Sequence, residues 1–266
     1  MNKGLILRWM GGAGGDTLLT MISEHNDVYM NVQVKNIDRS KGQSVVVGKY
    51  DSRYPTLVDL DNHRPIVDKR KLQNDIRTLS MSHTKFIIKS HFFDKEFDDS
   101  IVDLAETVDL GFGLDFLPFV VRSHIIKTKT LDRSGDPQRS HFDQTLQKIS
   151  GKLDKEQIRM LVTWNVIKDM IQHIKKFHLE HSPISTADLF QNIDRLENFF
   201  MKRELKIDKE SSHLSEWKNL NAKLLPSPAY QDHLRNSNYD FNDNSLDLVE
   251  RYILLALANE NFRILS

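Results

Sequence analysis

The sequence predicts an α/β fold, with a central parallel sheet flanked by helices and a helical C-terminal portion. Three observations carry that expectation. An apolar run at 5–10 passes through a glycine-rich turn into an amphipathic helical pattern at 17–22. Two further apolar runs, at 85–93 and 116–121, end on polar residues and alternate with helical stretches, the rhythm of strands in a parallel sheet. From 154 onwards helical periodicity prevails.

The 266 residues suffice for one large domain with a sizeable core. No internal repeat or linker divides them, so a single domain spanning 1–266 is expected, helical from about 211. Lys plus Arg and Asp plus Glu number 37 each. No global field therefore attracts nucleic acid or an anionic membrane, and any anion site has to be local. There is no Cys, which removes disulfides, zinc–thiolate sites and thiol nucleophiles, and permits a cytoplasmic home. The chain has no apolar stretch of about 18 residues and no signal-peptide pattern, so a soluble protein is expected.

Taken in order, 5–10 (LILRWM) is the first strand, and Gly11, Gly12, Gly14 and Gly15 punctuate its end. Strand, glycine turn and helix in that order make a phosphate cradle, because glycines let backbone N–H groups close on an anion and a helix N-terminus adds partial positive charge. The pattern is not a Walker A loop: Asp16 precedes Thr17 where that motif has Lys. A plain tight turn, with Asp16 or Thr17 capping the helix, accounts for the same residues.

The stretch 27–61 reads as polar and irregular, with a short strand at 45–47. Residues 67–80 are helical, with Leu72, Ile76 and Leu79 on one face. The run 85–93 (KFIIKSHFF) is the second strand and delivers Lys89, Ser90 and His91 at its end. Parallel sheets place ligands beyond the C-terminal ends of their strands, so a Lys and a His arriving together there are candidates for chemistry. A short helix is expected at 99–106. The third strand is placed at 116–121, with Pro118 near its start, delivering Arg122 and Ser123. Helix or turn continues over 124–131, with Lys127, Thr128 and Thr130, and 132–140 (DRSGDPQRS) has turn chemistry throughout.

Asp154 opens the clearest helix, with Gln157 as its capping-box partner and Ile167, Met170, Ile171, Ile174 and Phe177 as its apolar stripe. Trp164 and His173 on it read as packing residues. A short strand at 183–186 leads to an amphipathic helix over 188–200. The tail from 211 is helical in pieces, broken at Pro226, Pro228 and 236–244, and closes with 246–257.

In this order the polar strand ends resemble the sulfotransferase family, whose members fold like nucleotide kinases around a P-loop-like phosphate loop. They move the sulfuryl group of 3′-phosphoadenosine 5′-phosphosulfate (PAPS) to a hydroxyl or amine without a required metal. Ala13-Gly14-Gly15-Asp16-Thr17, with Gly12 before it, takes the place of the family's phosphosulfate loop. Lys89-Ser90-His91 matches its Lys-Thr-His strand end, and Arg122, with Thr130 eight residues on, stands for its 3′-phosphate Arg and Ser. Thr186-Ala187-Asp188-Leu189 and Phe199-Phe200 resemble its later strand–helix junction.

The resemblance covers about 4–201 and departs from the family in three respects. The loop Lys is missing and Asp16 stands near its place, Thr186 replaces a tyrosine, and no glycine-rich segment appears near the C-terminus. It implies PAPS as donor, no metal, and a small-molecule or glycan hydroxyl acceptor. His91 would be the base, with Lys89 on the leaving group, and Arg122 with Ser123 or Thr130 on the 3′-phosphate. Arg8 is a stand-in for the loop Lys, unless strand alternation turns it away. A kinase-like phosphotransferase and a non-catalytic nucleotide- or partner-binding member of the same fold stay open as alternatives.

Overall fold

The computed structural model describes residues 4–38, 44–51, 53–54, 56–57, 60, 68–83, 85–128, 155–228 and 232. Its centre is β1 (Gly4–Trp9), whose six residues are all buried, as befits a middle strand covered on both faces. The chain continues through α1 (Gly15–Ser23), β2 (Tyr29–Met30), β3 (Val32–Asp38), β4 (Ser44–Tyr50) and α2 (Lys69–Ser82). It then forms β5 (Phe86–Ser90), α3 (Lys95–Ile101), β6 (Ala105–Gly111) and α4 (Leu117–Thr128). After α5 (Lys155–Phe177) come β7 (Ile184–Ser185), α6 (Thr186–Gln191), α7 (Ile193–Met201) and α8 (Ser212–Asn221), followed by a 3₁₀ turn at Ala222–Leu224.

Five strands form one parallel sheet in the order β2-β5-β1-β6-β7, and β3 and β4 pair antiparallel as a separate hairpin. The expected α/β architecture with a central parallel sheet and later helices is therefore present. Alternation along the strands divides the core in two. Leu5, Leu7, Trp9, Ile87, Val108 and Leu110 face one side, with Leu18, Met21 and Ile22 of α1, Val120 of α4 and Ile171 of α5. Ile6, Phe86, Ile88 and Ala105 face the other, against Leu72, Ile76 and Leu79 of α2 and Phe97 and Ile101 of α3. The apolar stripe read on α5 is seated as expected, with Ile167, Met170, Ile171 and Ile174 buried.

Four readings are corrected. Residues 116–121, expected as the third strand, belong largely to α4. Every residue from Phe116 to Val121 is buried, and a run that is apolar all round carries no periodicity to separate buried helix from buried strand. Pro118 falls in the first turn of α4, where its missing N–H costs nothing. The strand neighbouring β1 on that side is β6, AETVDLG, part of which was expected as the end of a helix over 99–106. That helix runs instead from Lys95 to Ile101, with Asp94 capping it through the Phe97 N–H at 2.9 Å.

The stretch 27–61, expected to be irregular apart from 45–47, contains β2, β3 and β4. The helix expected over 188–200 divides at Asn192. Ser185 begins α6 through a capping box with Asp188, three residues ahead of the expected start. Asp154, and the segments 132–140, 236–244 and 246–257, lie outside the described residues. No helix among the described residues is long and apolar enough to cross a membrane.

Candidate functional site

The chain leaves the central strand at Trp9 and turns through Gly11 to Gly14 before α1 begins. The Ala13 N–H closes on the Met10 carbonyl at 3.1 Å, and the Thr17 and Leu18 N–H groups both return to the Gly14 carbonyl. Gly14 is the N-cap, in the left-handed region at φ 88°, and Gly12 sits there too at φ 93°. A side chain at either would be strained. Space is closed as well: a Cβ on Gly12 would lie 2.4 Å from the Val120 carbonyl oxygen, and one on Gly15 2.0 Å from the Trp9 ring. No side chain caps α1, so the expectation that Asp16 or Thr17 does so is not met. Both are buried in the first turn. The Thr186 hydroxyl fastens the turn by donating to the Ala13 carbonyl at 2.9 Å, and lies 3.3 Å from that of Gly111 at the end of β6.

Strand alternation decides which charges reach this turn. Leu7 is level with Lys89 and Arg8 with Ser90 across the β1–β5 ladder. Lys89 accordingly shares the face of Leu7 and Trp9, over α1, and Arg8 shares the opposite one. The Lys89 ammonium lies 2.8 Å from Asp16 Oδ1, with side chains only 4% and 7% exposed, and 5.5 Å from the Trp9 ring centroid. The backbone of Lys89 is held by Asn31, just past β2. The Asn31 amide oxygen accepts from the Lys89 N–H at 2.9 Å and its NH₂ donates to the Lys89 carbonyl at 3.4 Å. Asn31 was not singled out from sequence; its only signal was a position beside a strand too short to recognise.

His91 follows on the same strand end. Its Nδ1 hydrogen-bonds to the Trp9 carbonyl, its backbone N–H donates to the Leu60 carbonyl at 2.7 Å, and its ring meets Trp9 edge-on at 5.3 Å. A carbonyl oxygen only accepts, so Nδ1 is the protonated nitrogen and the neutral ring carries its basic lone pair on Nε2. Ser90 is turned to the other face, where its hydroxyl accepts from the Phe92 N–H at 3.0 Å.

Arg8 does not stand in for a loop lysine. On the far face its Nε and Nη2 donate to the two oxygens of Asp109 at 2.6 and 3.0 Å. Its Nη1 donates to Asp98 at 2.9 Å and to the Phe92 carbonyl at 3.3 Å, and the Phe93 ring covers it at 4.5 Å. Burial pushes the Asp98 carboxyl above the ordinary range despite the pull of Arg8.

The structure brings Gly12, Ala13, Gly14, Gly15, Asp16, Thr17, Lys89 and His91 to one end of the sheet. It does not put Arg122 and Ser123 at a strand end. Both stand on α4, where Arg122 donates to the Leu224 carbonyl at 3.2 Å and Ser123 is buried. Burial lowers the proton affinity of the Arg122 guanidinium. Thr130 lies outside the described residues. The side chain of α4 set against the glycine turn is that of His124: a Cβ on Gly11 would be 2.5 Å from its Nδ1. Helix geometry puts Arg122 about 200° around the axis from it. Among the described residues no group of three or more His, Cys, Asp or Glu side chains is placed to hold a metal ion.

Chemically, the arrangement offers a backbone turn at a helix N-terminus, an ammonium beside it, and an imidazole oriented through Nδ1. Those are the parts for holding an anion and moving a proton next to it. Comparisons of the chain with protein-family models, with characterised proteins and with solved structures found no match.

Proposed function

We propose that the chain is a PAPS-dependent sulfotransferase of P-loop-like fold acting on a hydroxyl acceptor. The observation that carries this reading is the contact between Lys89 and Asp16 at 2.8 Å. It seats the Lys-Ser-His strand end directly against the glycine turn, as the sulfotransferase resemblance requires. The strand order supports the same place. β1 leads out to β2 on one side while β6 leads to β7 on the other. The C-terminal end of β1 is thus a topological switch point, where open parallel sheets bind their ligands.

In this reading the turn at Gly12–Thr17 receives the 5′-phosphosulfate through backbone N–H groups other than those of Ala13 and Thr17, which close on carbonyls of the turn, and through the positive end of α1. PAPS supplies the activated sulfuryl group. His91 Nε2 takes the acceptor's hydroxyl proton as the new O–S bond forms. Lys89 steadies the oxygen that keeps the electron pair as the old S–O bond to phosphate breaks. Thr186 and Asn31 hold the turn and the strand end in register, which matters because such chemistry rests on positioning. The 3′-phosphate role expected of Arg122, Ser123 and Thr130 is not carried into this reading, since the first two are on a helix and the third lies outside the described residues.

The test is a thermal melt with PAPS, its desulfated product, ATP, and ATP with Mg²⁺. PAPS and the product are expected to raise Tm; a ligand at about 100 times its Kd adds about 2.7 kcal/mol. Stabilisation by ATP with Mg²⁺ alone would identify a kinase-like enzyme instead, and no shift with any of the four would remove the nucleotide site.

A further inference from the structure

A loop that grips phosphoryl groups usually carries a lysine in the first turn of its helix, and this loop carries Asp16. Asp16 is not a surface accident. It is buried, its backbone carbonyl accepts from the Thr20 hydroxyl at 2.8 Å, and its carboxylate meets the Lys89 ammonium at 2.8 Å. One positive and one negative side chain therefore face each other at the turn, and their charges cancel. Arg8, the other cation of the central strands, is on the opposite face and held by two carboxylates. An anion is therefore attracted by a Lys89 ammonium whose charge Asp16 offsets, by the partial charge of the helix N-terminus, about half an elementary charge, and by the backbone N–H groups.

Such a loop treats anions by their charge. A terminal sulfuryl group carries one negative charge at all ordinary pH values. A terminal phosphoryl group carries closer to two at pH 7, because its second ionisation falls near pH 6. With a carboxylate fixed in the first turn, the second charge meets repulsion at close range in a site of low dielectric, while the first is met by N–H donors and Lys89.

We propose that Asp16 is the specificity-determining residue of the site, selecting a singly charged sulfuryl end over a doubly charged phosphoryl end of otherwise equal shape. This rests on the glycine turn being the nucleotide site. It gives the carboxylate in the first turn a purpose: it keeps abundant nucleoside di- and triphosphates out of a site meant for a phosphosulfate.

The experiment uses a matched pair of probes, PAPS and 3′-phosphoadenosine 5′-diphosphate, which differ in sulfur against phosphorus at the terminal position. Both are titrated calorimetrically into the full chain and into Asp16→Asn without Mg²⁺. At pH 8 the phosphoryl end is fully ionised. The wild-type chain is expected to bind PAPS at least about tenfold more tightly than the diphosphate, and Asp16→Asn to close most of that gap by gaining affinity for the diphosphate. The wild-type comparison needs no variant, so a poorly folding Asp16→Asn leaves the inference exposed. Equal wild-type affinities would overturn the selectivity while leaving the nucleotide site standing. A preference that survives intact in Asp16→Asn would overturn the role of Asp16. Binding of neither probe would overturn the site itself.

Discussion

Two buried charge assemblies sit on opposite faces of the same two strands, and they are built differently. Behind the sheet, the Arg8 fork satisfies two carboxylates and a carbonyl at once, fastening β1 to β6 and to α3. In front, a single ammonium meets a single carboxylate, linking β5 to the first turn of α1. A guanidinium with bidentate partners is a rigid bolt, whereas an ammonium is a point charge on a flexible stem that can change partner. In the proposed function the contrast separates a structural ion cluster from a pair that exchanges its carboxylate for a ligand, although both arise from neighbouring ladder positions, Leu7 with Lys89 and Arg8 with Ser90.

The largest expected difference is in stability. Arg8→Met strands two partly buried carboxylates, and breaking a buried pair in this way costs about 3–5 kcal/mol. Urea denaturation should show a loss of that order; a loss below about 1 kcal/mol would mean that water already serves Asp98 and Asp109.

A smaller loss is expected in front. Lys89→Met leaves one carboxylate, and Asp16 lies at a helix N-terminus, whose partial charge offsets part of the penalty. Adding Asp16→Asn to Lys89→Met should recover most of the stability, since the pair breaks roughly even against neutral groups. Recovered stability without recovered nucleotide binding would sharpen the contrast, and a double variant no more stable than Lys89→Met would break it.

The smallest effect is the pH dependence that Asp98 contributes at the back. The folded state raises the Asp98 carboxyl above its ordinary value of 3.8, so it binds a proton more tightly than the unfolded chain does. This contribution to stability is therefore greatest below 3.8 and falls as pH climbs to the raised value. Melts across that window should show this downward slope removed in Asp98→Asn; an unchanged profile would place the titration elsewhere.

Much of the front of the molecule was legible in the sequence. Apolar runs bounded by glycine revealed β1 and the turn, and the run 85–93, with Lys-Ser-His after its apolar stretch, revealed β5. β6 was hidden because Glu106, Thr107 and Asp109 interrupt its apolar pattern. Each of these polar residues is matched in space, by Arg203, Asp98 and Arg8 respectively, which no local pattern displays. α4 was hidden for the opposite reason, an unbroken apolar run that suits a buried strand as well. That exchange also moved Arg122 from a strand end to a helix. Lys89 and His91 were readable as candidates, but the partner of Lys89 depends on ladder register and the role of Asn31 on a two-residue strand.

In the proposed function Lys89, next to the glycine turn, holds the anionic end of PAPS while His91 serves the acceptor. Calorimetric titration of PAPS into the wild-type chain, Lys89→Met and His91→Ala tests it most directly. One site is expected in the wild type, with nearly the same affinity in His91→Ala and a loss of about tenfold or more in Lys89→Met, where a charge-assisted contact is gone. A folded Lys89→Met chain that binds PAPS as tightly as the wild type would contradict it.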